Sequence, residues 1–87
     1  MSESEWTINE YGDKVWRVNG KYHRTDGPAV EDSNGYKAWW LNGELHRTDG
    51  PAIEFTDGTK SWYMNGERYT EQEWLAEVRK LKLELLK

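Results

Sequence analysis

The chain has 87 residues, 36% of them hydrophobic and 32% charged, with a net charge of −4, enough for a single domain with a small core. Six Trp, five Tyr and one Phe exclude a disordered polyelectrolyte, and the absence of Cys excludes a disulfide framework or a thiolate zinc site. The acidic balance argues against a basic nucleic-acid surface, no apolar run reaches the roughly 20 residues of a membrane span, and Met1–Tyr11 is too polar for a signal peptide. A cytoplasmic protein is expected.

The dominant feature is internal repetition. His23-Arg24-Thr25-Asp26-Gly27-Pro28-Ala29-Val30-Glu31 returns as His46-Arg47-Thr48-Asp49-Gly50-Pro51-Ala52-Ile53-Glu54, an offset of 23 residues. Trp16, Trp39 and Trp62 keep that spacing, as do Asn19-Gly20, Asn42-Gly43 and Asn65-Gly66, and Gly12, Gly35 and Gly58. Two full repeats therefore stand between partial copies. Asn-Gly between β-formers favours a type I′ hairpin, and Asn34-Gly35 and Asp57-Gly58 supply a second set of turn signals.

In chain order the pattern predicts strands at Trp6–Glu10, Lys14–Val18, Lys21–Arg24, Ala29–Ser33, Tyr36–Leu41, Glu44–Arg47, Ala52–Thr56, Thr59–Met64 and Glu67–Tyr69. The fold expected is mainly β, a meander of antiparallel hairpins in an elongated twisted sheet over residues 1–69. Thr25-Asp26-Gly27-Pro28 and Thr48-Asp49-Gly50-Pro51 break the ladder and form corners, with Gly allowing a sharp bend. With two-residue turns throughout, Val30 falls opposite Trp39 and Ile53 opposite Trp62, which gathers Trp16, Val18, Trp39, Leu41, Trp62 and Met64 with the β-branched residues on one core face. His23 and His46 fall opposite Trp16 and Trp39.

Residues 70–87 read as one capping helix. Thr70-Glu71-Gln72-Glu73 is a capping box, Trp74, Val78, Leu81 and Leu85 form the apolar stripe, and Lys82 and Lys87 suit the C-terminal end of the dipole. The helix is neutral, so the whole −4 lies in the β-region. Its stripe can close the last hairpin, as terminal caps close solenoids, or pair two copies; the expected state is a monomer or a homodimer through this helix.

The pattern Trp16-x-x-Asn19-Gly20-x-x-His23 with its second Gly turn resembles the MORN repeat, and the doubled His-Arg-Thr-Asp-Gly-Pro-Ala is similar to a divergent variant in small bacteriophage and bacterial proteins. The resemblance covers roughly residues 6–69 and implies an elongated sheet of hairpins used for protein contact. It departs from MORN where His-Gly-x-Gly becomes His-Arg-Thr-Asp-Gly-Pro, which removes the residues a lipid-binding reading needs. A phage setting implies a small inhibitor of a host or defence protein.

His23, Arg24 and Asp26, with His46, Arg47 and Asp49, are the candidates for catalysis, since a His beside a carboxylate can transfer protons. Their duplication at one address marks repeat-defining residues; His23, Asp26, His46 and Asp49 are assigned structural roles, and Arg24 and Arg47 are expected to pair with neighbouring carboxylates or stack on Trp. One His per repeat does not assemble a metal site, no Gly-rich phosphate loop is present, and there is no activated nucleophile; no catalytic residue, metal or cofactor is assigned. The remaining apolar positions, Arg17, Trp40 and Tyr63 with Tyr22, Leu45 and Arg68 across the Asn-Gly turns, make an aromatic–Arg stripe if the helix covers the other face. These are residue types enriched at binding hot spots. The reading is a non-enzymatic protein-binding module with this stripe as the partner site and no nucleic-acid or membrane partner; the alternatives are a small-ligand binder, with Trp and Arg stacking on a nucleotide-like ligand between protomers, and a small hydrolase using the His-Asp pairs.

Overall fold

The computed structural model describes residues 4–86; Lys87, assigned above to the helix end, lies outside the described residues. Ten short strands precede one helix: β1 (Ser4–Ile8), β2 (Lys14–Val18), β3 (Lys21–Tyr22), β4 (Val30–Glu31), β5 (Lys37–Ala38), β6 (Trp40–Leu41), β7 (Glu44–Leu45), β8 (Ile53–Glu54), β9 (Lys60–Met64), β10 (Glu67–Tyr69) and α1 (Glu71–Leu85). The main sheet runs β1-β2-β4-β5-β8-β9-β10 with β3 also on β2, every pair antiparallel, and β6 and β7 form a separate pair. Single backbone bonds join that pair to its neighbours: Arg24 N–H to Trp40 O at 3.1 Å, Gly43 N–H to Tyr22 O at 2.9 Å, and Gly66 N–H to Leu45 O at 2.9 Å. The molecule is a slab of 45 × 38 × 18 Å, and its radius of gyration of 14.0 Å exceeds the ~12 Å of a compact chain this long.

Each repeat Trp is where a strand changes partner. Trp16 N–H donates to Ala29 O at 2.8 Å and Trp39 N–H to Ala52 O at 2.8 Å, while their carbonyls accept from His23 N–H at 3.1 Å and His46 N–H at 3.0 Å. One half of each long strand thus pairs beyond the corner and the other half pairs with the Asn-Gly arm. The three Asn-Gly hairpins have the expected two-residue geometry, with Asn19, Asn42 and Asn65 all at φ 52°.

The second set of turns differs from expectation. In each of Asn9–Asp13, Asp32–Tyr36 and Phe55–Thr59 the Gly N–H bonds back three residues (Gly12 to Asn9 O, Gly35 to Asp32 O, Gly58 to Phe55 O), and the flanking residues close the loop. These are three-residue loops, a type I turn followed by a positive-φ Gly. The extra residue shifts the register by one: Val30 pairs with Ala38 in place of Trp39, and Ile53 with Ser61 in place of Trp62. A one-residue shift moves side chains to the opposite face, so Val30 and Ile53 leave the Trp face.

The two faces consequently differ in chemistry. Opposite the helix, Thr7, Val15, Val30, Ala38, Ile53 and Ser61 stand in cross-strand register; Ala38 and Ile53 are buried. On the Trp face the same lane reads Lys14, Glu31, Lys37, Glu54, Lys60, alternating in sign at every step, an order that avoids like charges directly opposite one another. The helix packs on this second face, where Met64, Trp74 and Val78 form a core flanked by Trp62 and Tyr69. Its Thr70–Glu73 capping box is complete.

Candidate functional site

The corners are built around an arginine lying on a tryptophan. The Arg24 guanidinium carbon sits 3.8 Å from the Trp16 ring centroid, and that of Arg47 sits 3.7 Å from Trp39. Arg47 Nε donates to Asp49 at 2.7 Å, and its Nη1 donates to the Pro51 carbonyl and to Glu54, both at 3.0 Å. Arg24 repeats this with Asp26 at 2.9 Å, the Pro28 carbonyl at 3.1 Å and Glu31 at 3.5 Å. The Arg24 hydrogen bond, and then its charge, hold the Asp26 carboxyl below the usual aspartate range.

Gly27 and Gly50 serve this stack differently from the expected sharp bend. Neither is among the positive-φ glycines. A Cβ at Gly50 would meet the Arg47 guanidinium carbon at 2.7 Å, and one at Gly27 the Arg24 guanidinium carbon at 3.0 Å. The missing side chain is room for the guanidinium.

His23 and His46 clasp successive repeats. His23 Nδ1 accepts the Asn42 backbone N–H at 3.0 Å, and His46 Nδ1 accepts that of Asn65 at 3.0 Å. An acceptor Nδ1 places the ring proton of a neutral imidazole on Nε2. Asp26 and Asp49 hold the arginines and make no hydrogen bond to either His, so the His–carboxylate pair of a proton-transfer site is not assembled.

Between the corners lies a half-open groove of about 560 Å³, lined by Arg24, Asp26, Trp39, Leu41, His46 and Asp49 among others. Its guanidiniums are stacked on Trp16 and Trp39 and each bonded to two carboxylates. A second groove of about 440 Å³, lined by Thr48, Val78, Leu81, Lys82, Glu84 and Leu85, lies between the second corner and the helix. Among the described residues no group of three or more His, Cys, Asp or Glu converges for a metal, and no helix is long and apolar enough to cross a membrane.

On the face turned away from α1, the six positions of the aromatic–Arg stripe form one row. Arg17 pairs with Tyr22 across one Asn-Gly turn, Trp40 with Leu45 across the next, and Tyr63 with Arg68 across the third. The Tyr22 and Trp40 rings meet edge to face at 5.4 Å, and the Arg17 guanidinium carbon lies 5.2 Å from the Tyr22 ring centroid. All six are half-buried except Arg68, which is exposed. Trp40 Nε1 is buried without a hydrogen-bond partner, so the exposed part of that side chain is carbon. Tyr36 extends the apolar surface through an edge contact with Phe55 at 5.8 Å, and burial first, then the Asp32 charge, raises its phenol above the usual range.

The sequence reading missed the charge ladder, whereas the stacking on Trp that it offered for Arg24 and Arg47 is what the structure shows. The stack had a signal in the fixed eight-residue step from Trp16 to Arg24 and from Trp39 to Arg47. The ladder became visible only with the correct loop length. No protein-family model, curated protein or solved structure matches the chain.

Proposed function

We propose that this chain is a non-catalytic protein-binding module that docks its partner on the sheet face carrying Arg17, Tyr22, Trp40, Leu45, Tyr63 and Arg68. The observation that carries the reading is their alignment in one row on the face α1 leaves uncovered. Trp, Tyr and Arg dominate binding hot spots because each buries a large area with few rotamers to freeze while keeping a polar or charged edge. The His, Arg and Asp residues that would serve a hydrolase are occupied in corner and clasp hydrogen bonds. The MORN-like pattern points the same way, to a small cytoplasmic protein, phage-encoded, that binds and inhibits a host or defence component.

The test is affinity capture from bacterial lysate with the wild-type chain and an Arg17→Gln/Arg68→Gln variant side by side. The proposal predicts a stoichiometric protein retained by the wild type and weakened at least tenfold by the variant, whose fold is unchanged. Capture that ignores the row, or no stoichiometric protein at all, contradicts it.

A further inference from the structure

Resting on that reading, the arrangement of the row specifies the segment it receives. We infer that the row docks an amphipathic α-helix of the partner, laid across the strands, apolar along its contact stripe and carrying a carboxylate near each end.

Across six neighbouring strands the order is Arg17, Tyr22, Trp40, Leu45, Tyr63, Arg68. At ~4.8 Å per strand the row spans about 24 Å, the length of roughly 16 helical residues. Its middle is apolar, since Trp40 turns its indole N–H inward and presents carbon, with Leu45 beside it. Its two ends are cations. Among the described residues neither Arg17 nor Arg68 is in an ion pair, whereas Arg24 and Arg47 each hold two carboxylates. Glu5, registered opposite Arg17, makes no ion pair with it. In a chain of net charge −4, two uncompensated guanidiniums at the limits of an apolar row select carboxylates at matching separation.

The direction of the row decides the partner's secondary structure. The face of a sheet offers side chains only, because the strands' N–H and C=O groups lie in the sheet plane and bond to one another. An extended segment laid across it would bury its own backbone groups without partners; a helix arrives with most of them satisfied. The other face of this sheet already accepts a helix, the fifteen residues of α1 against β9 and β10.

The experiment is selection on the full chain from a displayed library of helices of about 18 residues with a fixed apolar stripe and randomised charge at both ends. The inference predicts selected helices with Asp or Glu at both ends, binding the wild type at least tenfold tighter than Arg17→Gln/Arg68→Gln. They should also shift the Trp40 indole N–H resonance and leave that of Trp74 in place. Selected helices without terminal carboxylates, binding indifferent to the double variant, failure to recover any binder, or displacement of the helices by a single-stranded oligothymidylate would each overturn it. The two readings fail separately: a captured protein that depends on the row but contacts it through a non-helical segment sinks the helix inference and leaves the docking face standing.

Discussion

The first two repeats and the third solve one problem with different chemistry. Trp16 and Trp39 are each covered by a guanidinium, from Arg24 and Arg47, held by two carboxylates. Counting 23 residues past Arg47 gives Thr70, the helix N-cap, and Trp62 is covered instead by Trp74 of α1 at 4.7 Å between ring centroids. The Trp74 indole N–H donates to the Arg47 carbonyl at 2.8 Å, tying the helix to the second corner. Where the chain must continue into another repeat, the cover is a side chain fixed by local ion pairs. Where the repeat pattern gives way to α1, it is a hydrophobic cap. The comparison teaches that the repeated charged corner is a packing device.

Replacing Trp74 by Ala breaks the comparison at its strongest point. It removes a buried indole and its hydrogen bond, for an expected loss of about 3–5 kcal/mol, close to the entire stability of a chain this size, read by chemical denaturation followed by circular dichroism. Arg47→Ala should cost less, about 2 kcal/mol, because the guanidinium is partly solvated but its loss leaves Glu54 and Asp49 unpaired. Arg47→Lys should recover under half of that, since an ammonium neither stacks nor forks. Gly50→Ala should cost about 1 kcal/mol through the contact with Arg47, and a double-mutant cycle sharpens the point: the cost should vanish in the Arg47→Ala background.

Smaller effects follow at the clasp and the corner rim. His46→Ala should lose about 1 kcal/mol by leaving the Asn65 N–H unmatched, and His46→Asn, whose amide oxygen can replace Nδ1, should lose less in the same denaturation assay. The least effect is expected from Asp26. Its folded-state pKa is depressed, so its stabilisation is present above the unfolded aspartate value near 4 and is lost as pH falls through the folded value. Asp26→Asn should therefore lower the melting temperature slightly at neutral pH, with a deficit that shrinks as pH falls through the folded value.

Period, hairpins, corners and helix were legible because each rests on local chemistry. Asn at positive φ before Gly defines the two-residue turns, and Thr70 with Glu73 defines the helix start. Those turns also fix the register that aligns the six row positions. The second turn set misled because Asn-Gly and Asp-Gly serve two turn types. Asn34 lies outside the positive-φ set that holds Asn19, and only the closing bonds from Asp32 to Tyr36 reveal the extra residue. Tyr11 before Gly12 was the available clue, for a bulky aromatic is a poor occupant of the left-handed position a type I′ turn requires. Missing it placed Val30 and Ile53 on the wrong face and hid the Lys14–Glu31–Lys37–Glu54–Lys60 ladder. For Arg24 and Arg47 the sequence offered carboxylate pairing or stacking on Trp; that both hold together was not legible, because the Pro51 carbonyl and Glu54 lie beyond the corner they stabilise.

Thermal unfolding of Arg47→Ala beside Arg17→Gln/Arg68→Gln separates architecture from surface most directly. For a chain of this length the corner variant should melt roughly 10 °C below the wild type and the row variant within about 4 °C of it. A row variant that melts roughly 10 °C below the wild type, with Arg47→Ala melting as the wild type does, would mean that the row holds the sheet together and the charged corners are free for other work.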